Sequence, residues 1–361
     1  MEELTLTVDG RTYTDWTAIE VARDMTAEAA TFAIAVSERW RDGEALRRIR
    51  PGAACRVALG PDPVITGYVD GYRPRFGSGS HSVAISGVSM TGDLADCSAM
   101  VPGGQFSGYG LAAIARALAR PFGVEVVTAG GLGGPIADVQ ITPGEKVAEI
   151  LGRLAAQAGA TVWDDERGRL VIGRAGSGGR AAPLVQGEGL LEAEADFDMG
   201  GRFSPIVVRA QQPSFEGLDP AEAAGVEARA ADGAVPRYRP LLIAGEASMD
   251  TATAGTRARW ERAVRAGRGI QVKAVVKGWR QPDGRLWRVN QTARVTSDWL
   301  GLDRDLLIAG VRFTRDASGT RTGLSLTPPS ALTPDPTATA EADPWAGLDV
   351  KPIGDDRGSG S

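Results

Sequence analysis

The sequence predicts an α+β fold, mainly β, in which two small antiparallel β-barrel domains flank an α/β segment and a flexible C-terminal tail follows. Three observations predict it. Short alternating runs broken by turn residues fill the first ninety residues and return after residue 200. Two stretches with a 3.6-residue apolar period lie between them. The last 34 residues hold six prolines and no apolar period. The domains so drawn are 1–92, 93–175 and 176–327, with a tail over 328–361.

In the first domain, Leu4-Thr5-Leu6-Thr7-Val8 alternates, Asp9-Gly10 is a two-residue hairpin signal, and Arg11 to Trp16 returns. Further strands are expected at Ile19–Ala22, Thr31–Val36, Cys55–Leu59, Val64–Tyr72 and Ser82–Val88. In the second, Leu111, Ile114, Ala115 and Leu118 fall on one helical face, which Pro121 ends. Another helix starts near Pro143-Gly144-Glu145, runs through Val147, Ile150, Leu151 and Leu154, and stops at Gly159. A hairpin follows, Ala160–Trp163 with Leu170–Ile172, turned by Asp164-Asp165-Glu166-Arg167-Gly168.

Gly176–Arg180 reads as a glycine-serine connector. Strands of a second barrel are expected at Pro205–Ala210, Ile270–Lys277, Leu286–Thr296, Leu306–Arg315 and Thr322–Thr327. One helix, Thr256–Ala266, carries Trp260, Ala263 and Val264 as a narrow apolar stripe that packs against the outside of that barrel. From Pro328 the chain cannot recover its ordering entropy by burial, so a flexible tail follows, with Pro344-Trp345-Ala346-Gly347-Leu348 as a docking point or simply exposed.

Composition removes whole classes of chemistry. A single histidine, His81, rules out triads and multi-histidine metal sites, and its Gly77-Ser78-Gly79-Ser80 approach makes it a solvated loop residue. Cys55 and Cys97 lie far apart without a CxxC partner and read as small buried apolar residues. The formal charge is −5, and residues 328–361 hold six acids against two bases, so the body is nearly neutral and lacks the basic excess of a general nucleic-acid binder. No run is long and apolar enough to span a bilayer, and the acidic start is unlike a signal peptide, which points to synthesis in a cytoplasm.

Candidate sites are few. Asp164, Asp165 and Glu166 suggest a glycosidase pair, but consecutive carboxylates at a tight turn are expected to point outward and stay solvated. Gly103-Gly104-Gln105, Gly130–Gly134 and Gly176–Gly179 match no phosphate-loop pattern and read as loops. Arg237-Tyr238-Arg239-Pro240, Trp279-Arg280 and Leu286-Trp287-Arg288 suit strand-face packing first, protein contacts or base stacking second. No catalytic, cofactor-binding or metal-binding residue is assigned, and no cofactor is implied.

Read in order, a set of runs carries a resemblance: Val8-Asp9-Gly10-Arg11 with Trp16, Thr66-Gly67-Tyr68-Val69-Asp70, Ser89-Met90-Thr91-Gly92-Asp93-Leu94-Ala95-Asp96-Cys97 and Gly103-Gly104-Gln105. Pro121-Phe122-Gly123-Val124, Gly144-Glu145-Lys146-Val147, Arg237–Pro240 and Gly278–Trp287 continue it. Over residues 3–327 the chain resembles the phage Mu-like baseplate hub proteins, and more distantly the T-even hub and the barrel part of type VI secretion spikes. The resemblance implies a virion structural protein, a homotrimer with two similar barrels per chain. Its ring would join a threefold spike to a sixfold tail tube in a contractile tail baseplate, with wedge proteins around it and DNA passing the central channel. The alternatives are a tail-associated cell-wall (peptidoglycan) hydrolase, or the same hub role in a contractile injection system or gene-transfer agent. The Gly130–Gly134 loop and the acidic tail depart from the family and stay unassigned.

Overall fold

A computed structural model describes residues 3–27, 29–37, 49–78, 80–210, 225–245 and 250–333. The fold is mainly β with four α-helices among the described residues. By contacts the chain divides into two compact units, Met1–Ala181 with Ala274–Thr292 and Leu307–Leu326, and Ala182–Lys273 with Ala293–Leu306 and Thr327–Ser361.

The first unit opens with seven strands: β1 Leu4–Val8, β2 Arg11–Tyr13, β3 Ala18–Asp24, β4 Thr31–Ser37, β5 Ala54–Leu59, β6 Asp62–Gly77 and β7 Ser80–Ser89. They pair antiparallel in the order β3-β4-β7-β6-β5-β1-β2. The Asp9-Gly10 signal is realised, with both residues at positive φ (50° and 75°), as a two-residue hairpin of this twist requires. Alternation does the rest: Leu4, Leu6 and Val8 of β1 are buried, while Thr5 and Thr7 are partly exposed. Gly67 and Gly87 let β6 and β7 cross closely. A Cβ on Gly67 would lie 1.9 Å from the Val88 carbonyl oxygen, and one on Gly87 2.2 Å from that of Tyr68.

The chain continues through α1 Gly92–Asp96, β8 Gln105–Tyr109, α2 Leu111–Ala119, β9 Val126–Ala129, β10 Ile136–Gln140, α3 Val147–Gln157, β11 Thr161–Asp164 and β12 Leu170–Gly173. Both expected helices form, and their apolar stripes meet in one core of Leu111, Ile114, Leu118, Val147, Ile150 and Leu154. After α2 the chain tightens through Arg120–Phe122 and leaves at Gly123, whose φ of 69° stops the helix. The Glu149 carboxylate accepts from the Lys146 N–H at 3.1 Å and caps the start of α3. The expected β11–β12 hairpin gains a third strand, β9, parallel to β12.

The remaining elements are β13 Leu184–Gln186, β14 Gly189–Phe197, β15 Ile206–Ala210, β16 Val226–Ala230, β17 Leu241–Ala244, α4 Thr251–Arg268, β18 Ile270–Lys277, β19 Thr292–Ser297, β20 Leu302–Asp316 and β21 Gly319–Thr327. Hydrogen bonding closes a six-strand ring in the order β19-β13-β14-β18-β21-β20 and back to β19. Within the first unit, β20 also pairs antiparallel with β3, Gly310–Arg315 against Ile19–Asp24.

Several expectations are corrected here. The strand Pro205–Ala210 is not part of the closed ring: β15 is the centre of a separate sheet, β16-β15-β17. The helix expected over Thr256–Ala266 is longer, and beside the Trp260 stripe it presents a second face of small residues. Ala254 and Ala258, one turn apart, lie against Val208, Val226 and Ala230 of the small sheet. Asp250 caps this helix, its carboxylate accepting from the Thr253 N–H at 2.7 Å. The strand expected over Leu286–Thr296 begins only at Thr292, because Asn290 takes a left-handed conformation (φ 66°) that breaks the extended run.

The Gly176–Arg180 connector is pinned, not loose. The Asn290 side chain accepts from the Gly176 N–H at 2.6 Å, and the Gly178 N–H donates to the Asn290 carbonyl at 3.0 Å. The segment assigned to the tail begins with a built turn, Pro329–Ala331, in which Ala331 is buried and approaches Gly267 of α4 closely. The rest of that tail, including Pro344–Leu348, lies outside the described residues.

Candidate interaction surfaces

The residues singled out for chemistry separate into roles. Asp164 ends β11 and is buried, against the expectation of a solvated turn. It accepts from Arg23 of β3 at 2.6 Å and from the Ala30 N–H at 3.3 Å, while Arg23 also donates to the Val64 carbonyl at 2.6 Å. A strand partner 141 residues away supplies the countercharge that lets the carboxylate leave water. Asp165 organises the turn, accepting from the N–H groups of Arg167 and Arg169 at 3.0 Å each and from the Arg169 side chain. Glu166 faces Arg288 at 3.5 Å. The three acids thus serve three separate structural contacts and do not form a pair across a cleft.

Cys55 is buried as expected, and its thiol is pushed up to about 12 by burial and then by the nearby Asp70 carboxylate. Cys97 is exposed, contrary to expectation, because it is the residue after α1 and points away from the core its helix joins. His81 is exposed but lies in β7, paired with Phe76 of β6, not in a loop. Among the described residues no three His, Cys, Asp or Glu side chains come together as a metal-ligand group. No helix among them is long and apolar enough to cross a membrane.

The arginine–aromatic runs divide by burial. Trp279 is core, its indole N–H donating to the Thr314 carbonyl at 3.1 Å, and Trp287 is core as well. Arg280 is spent on Asp62 at 2.7 Å and on the Leu59 carbonyl at 3.3 Å. Arg239 stacks over Phe203 at 5.2 Å and donates to the Gly200 carbonyl at 2.8 Å, beside the buried Arg202–Asp232 pair, whose two bonds are 2.8 and 2.7 Å. Tyr238 alone of these aromatics is strongly exposed. These runs are mostly packing, with one surface aromatic.

A shallow pocket in the first unit has Val21, Pro63, Trp287, Val311 and Phe313 in its walls, together with Arg23, Glu166 and Arg288. Its charges are neutralised by the pairs already given, and the buried Trp287 indole N–H makes no hydrogen bond among the described residues.

What remains exposed is apolar or charged surface. In the first unit Phe76, Met100 and Tyr109 are exposed; in the second, Leu191, Tyr238, Leu242 and Trp299. Leu242 and Tyr238 belong to the edge strand β17 and its approach, an edge that an isolated protein covers or charges. Two features escaped the sequence reading. The end of β6 and the start of β7 form a hairpin in which Arg73–Ser78 are all exposed. Strand β14 buries none of its nine residues and presents Glu192, Glu194 and Asp196 at every second position. The alternation Glu-Ala-Glu-Ala-Asp was the visible signal for β14, a period of two with small residues where a core strand has large ones.

Three family models match this chain. Residues 3–89 match the family model for the N-terminal domain of the Mu phage baseplate assembly protein GpP-like group. Residues 91–174 match the second domain of gp44-like baseplate hub proteins, and residues 250–335 the fourth domain of GpP. The chain is 30% identical over 334 residues to the baseplate hub protein gp44 of Escherichia phage Mu, covering 90% of this chain and 87% of that one. Among solved structures, the 43 kDa tail protein of prophage MuSo2 from Shewanella oneidensis matches with a TM-score of 0.82 at 34% identity, over 92% of this chain and all of that one. A tail protein from Neisseria meningitidis shares the fold, with a TM-score of 0.81 at 24% identity over 92% of this chain and 98% of that one.

Proposed function

From the premise that this chain belongs to the family of the phage Mu baseplate hub protein gp44, we propose that it works as a homotrimeric symmetry adaptor. Three copies close a ring that presents threefold contacts to the spike protein and six barrel-like units to the tail tube protein, with wedge proteins outside. The role is structural and not catalytic. The virion tail baseplate is the site of action, after assembly in the host cytoplasm, and DNA passes the ring's channel without stable binding.

The observation that carries this reading is the colinear match of three Mu-type baseplate protein domains, at residues 3–89, 91–174 and 250–335. The chain's geometry is consistent with it: the carboxylates at Asp164, Asp165 and Glu166 are consumed in structural contacts, and the large exposed apolar side chains are left on surfaces. A protein that acts by symmetry needs surfaces and closure in place of a cleft.

The test is the mass of the purified full-length chain by analytical ultracentrifugation, with peptidoglycan zymography alongside. A trimer without a cleared band is expected. A monomer at every concentration would remove the ring, and a cleared band that survives repurification would restore the hydrolase alternative.

A further inference from the structure

The exposed β6–β7 hairpin and the exposed face of β14 are complementary in charge and spacing. We infer that the hairpin arm of one copy docks across the β14 face of the next copy. This rests on the ring proposed above and assigns its contact.

The arm is built to leave the sheet. Up to Val69, β6 alternates buried with partly exposed residues, but from Arg73 to Gly77 every residue is exposed, so neither face of the hairpin packs on its own unit. Register continues to Gly77 opposite Ser80, so this is paired β structure extending past its core. Phe76 near its tip is 83% exposed. Residues 71–88 contain Arg73 and Arg75 and no acid. Among the described residues the Arg75 side chain makes no hydrogen bond or ion pair, and the Arg73 side chain donates only to Ser86 at 3.1 Å.

The β14 face is the opposite in sign. Residues 187–198 contain Glu188, Glu192, Glu194, Asp196 and Asp198 and no base. Glu192, Glu194 and Asp196 share one face, all exposed, and among the described residues none of their three carboxylates makes an ion pair or hydrogen bond. Leu191, on the opposite face of the strand, is 50% exposed.

The spacing agrees as well as the sign. Arg73 and Arg75 are two residues apart on one strand, as are Glu192 and Glu194, or Glu194 and Asp196. Alternate residues of a strand repeat every ~6.7 Å, so an arm laid along β14 sets two guanidiniums against two carboxylates in register.

A second copy of this chain is the occupant that fits. Each copy carries one basic arm and one acidic strand, so the contact is head-to-tail and repeats around a closed ring. The arginines of α4 are weaker candidates for the acidic face, because Arg257 and Arg265 already pair with Glu261 at 2.9 and 3.2 Å.

The experiment uses the full-length chain and sedimentation velocity at moderate salt, with thermal melting as a check on folding. The pair R73E/R75E, and separately E192K/E194K, should each weaken self-association by at least about tenfold without lowering the melting temperature, since all four side chains are exposed. Combining all four restores opposite charges and should recover most of the lost association. A wild-type trimer that ignores both reversals, or a combined variant no better than either alone, overturns the arm contact and leaves the ring standing. A wild-type chain that never associates overturns the ring and the contact together.

Discussion

Strand β1 and strand β14 are both extended runs of alternating residue types, yet the molecule uses them in opposite ways. In β1 the odd members Leu4, Leu6 and Val8 are buried and the threonines face outward. In β14 the alternate members are Ala193, Ala195 and Phe197, only partly buried, against Glu192, Glu194 and Asp196 in solvent. One strand is held by what it buries. The other is held by its hydrogen-bonded neighbours and keeps both faces available. The same contrast runs inside β6, whose first half is core and whose second half is arm. On the contact inferred above, stability and assembly are written into separate residues, and mutations should sort accordingly.

The sharpest way to test that sorting is to break the N-terminal sheet's attachment to β11. Asp164→Ala leaves Arg23 buried with no countercharge, and removing one partner of a buried pair costs about 3–5 kcal/mol. Chemical denaturation should register most of that loss as a lower midpoint. A change under ~1 kcal/mol would mean that water reaches Arg23 and that the sheet and the α/β segment are less tightly joined than the 2.6 Å contact implies.

A second probe of the same sheet is pH. Cys55 on β5, opposite Val8 of β1, has its thiol raised from 9.0 to about 12 by burial first and the Asp70 charge second. A folded value above the unfolded one means the stability contribution is complete below pH 9 and is lost as the pH rises from 9 toward 12. The companion measurement is thiol labelling at neutral pH, where exposed Cys97 reacts and Cys55 is protected until the chain unfolds. Equal labelling of both would show that the β1–β5 pairing opens freely.

How much of this was legible follows from how local each cause is. β1 to β7 were readable because alternation, the Asp9-Gly10 turn and the Pro/Gly breaks are all short-range, and the stripes of α2 and α3 likewise declare their buried faces. Asp164 was misread because its burial depends on Arg23, far away in sequence. Cys97 was misread because exposure at a helix end is decided by where the helix packs. β15 went to the wrong sheet because a strand's sequence names its faces and not its neighbours. The surfaces were hardest: β14 carries too little apolar content to register as a strand, and the arm's Arg-Pro-Arg-Phe reads as loop until pairing with β7 is seen.

The smallest expected effect is the one that tests the comparison most directly. Leu6→Ala in β1 removes a fully buried side chain and should cost about 2–5 kcal/mol. Leu191→Ala in β14 removes a side chain of the same type that is half exposed, and surface changes of this kind fall within ~0.5 kcal/mol. The two substitutions delete the same atoms, so the difference in unfolding free energy measures burial alone. If Leu191→Ala leaves the melting of dilute protein unchanged while weakening self-association, then β14 spends its apolar surface on a neighbour. If it destabilises the isolated chain as much as Leu6→Ala does, Leu191 belongs to the core and the division between strands that stabilise and strands that assemble fails at its clearest example.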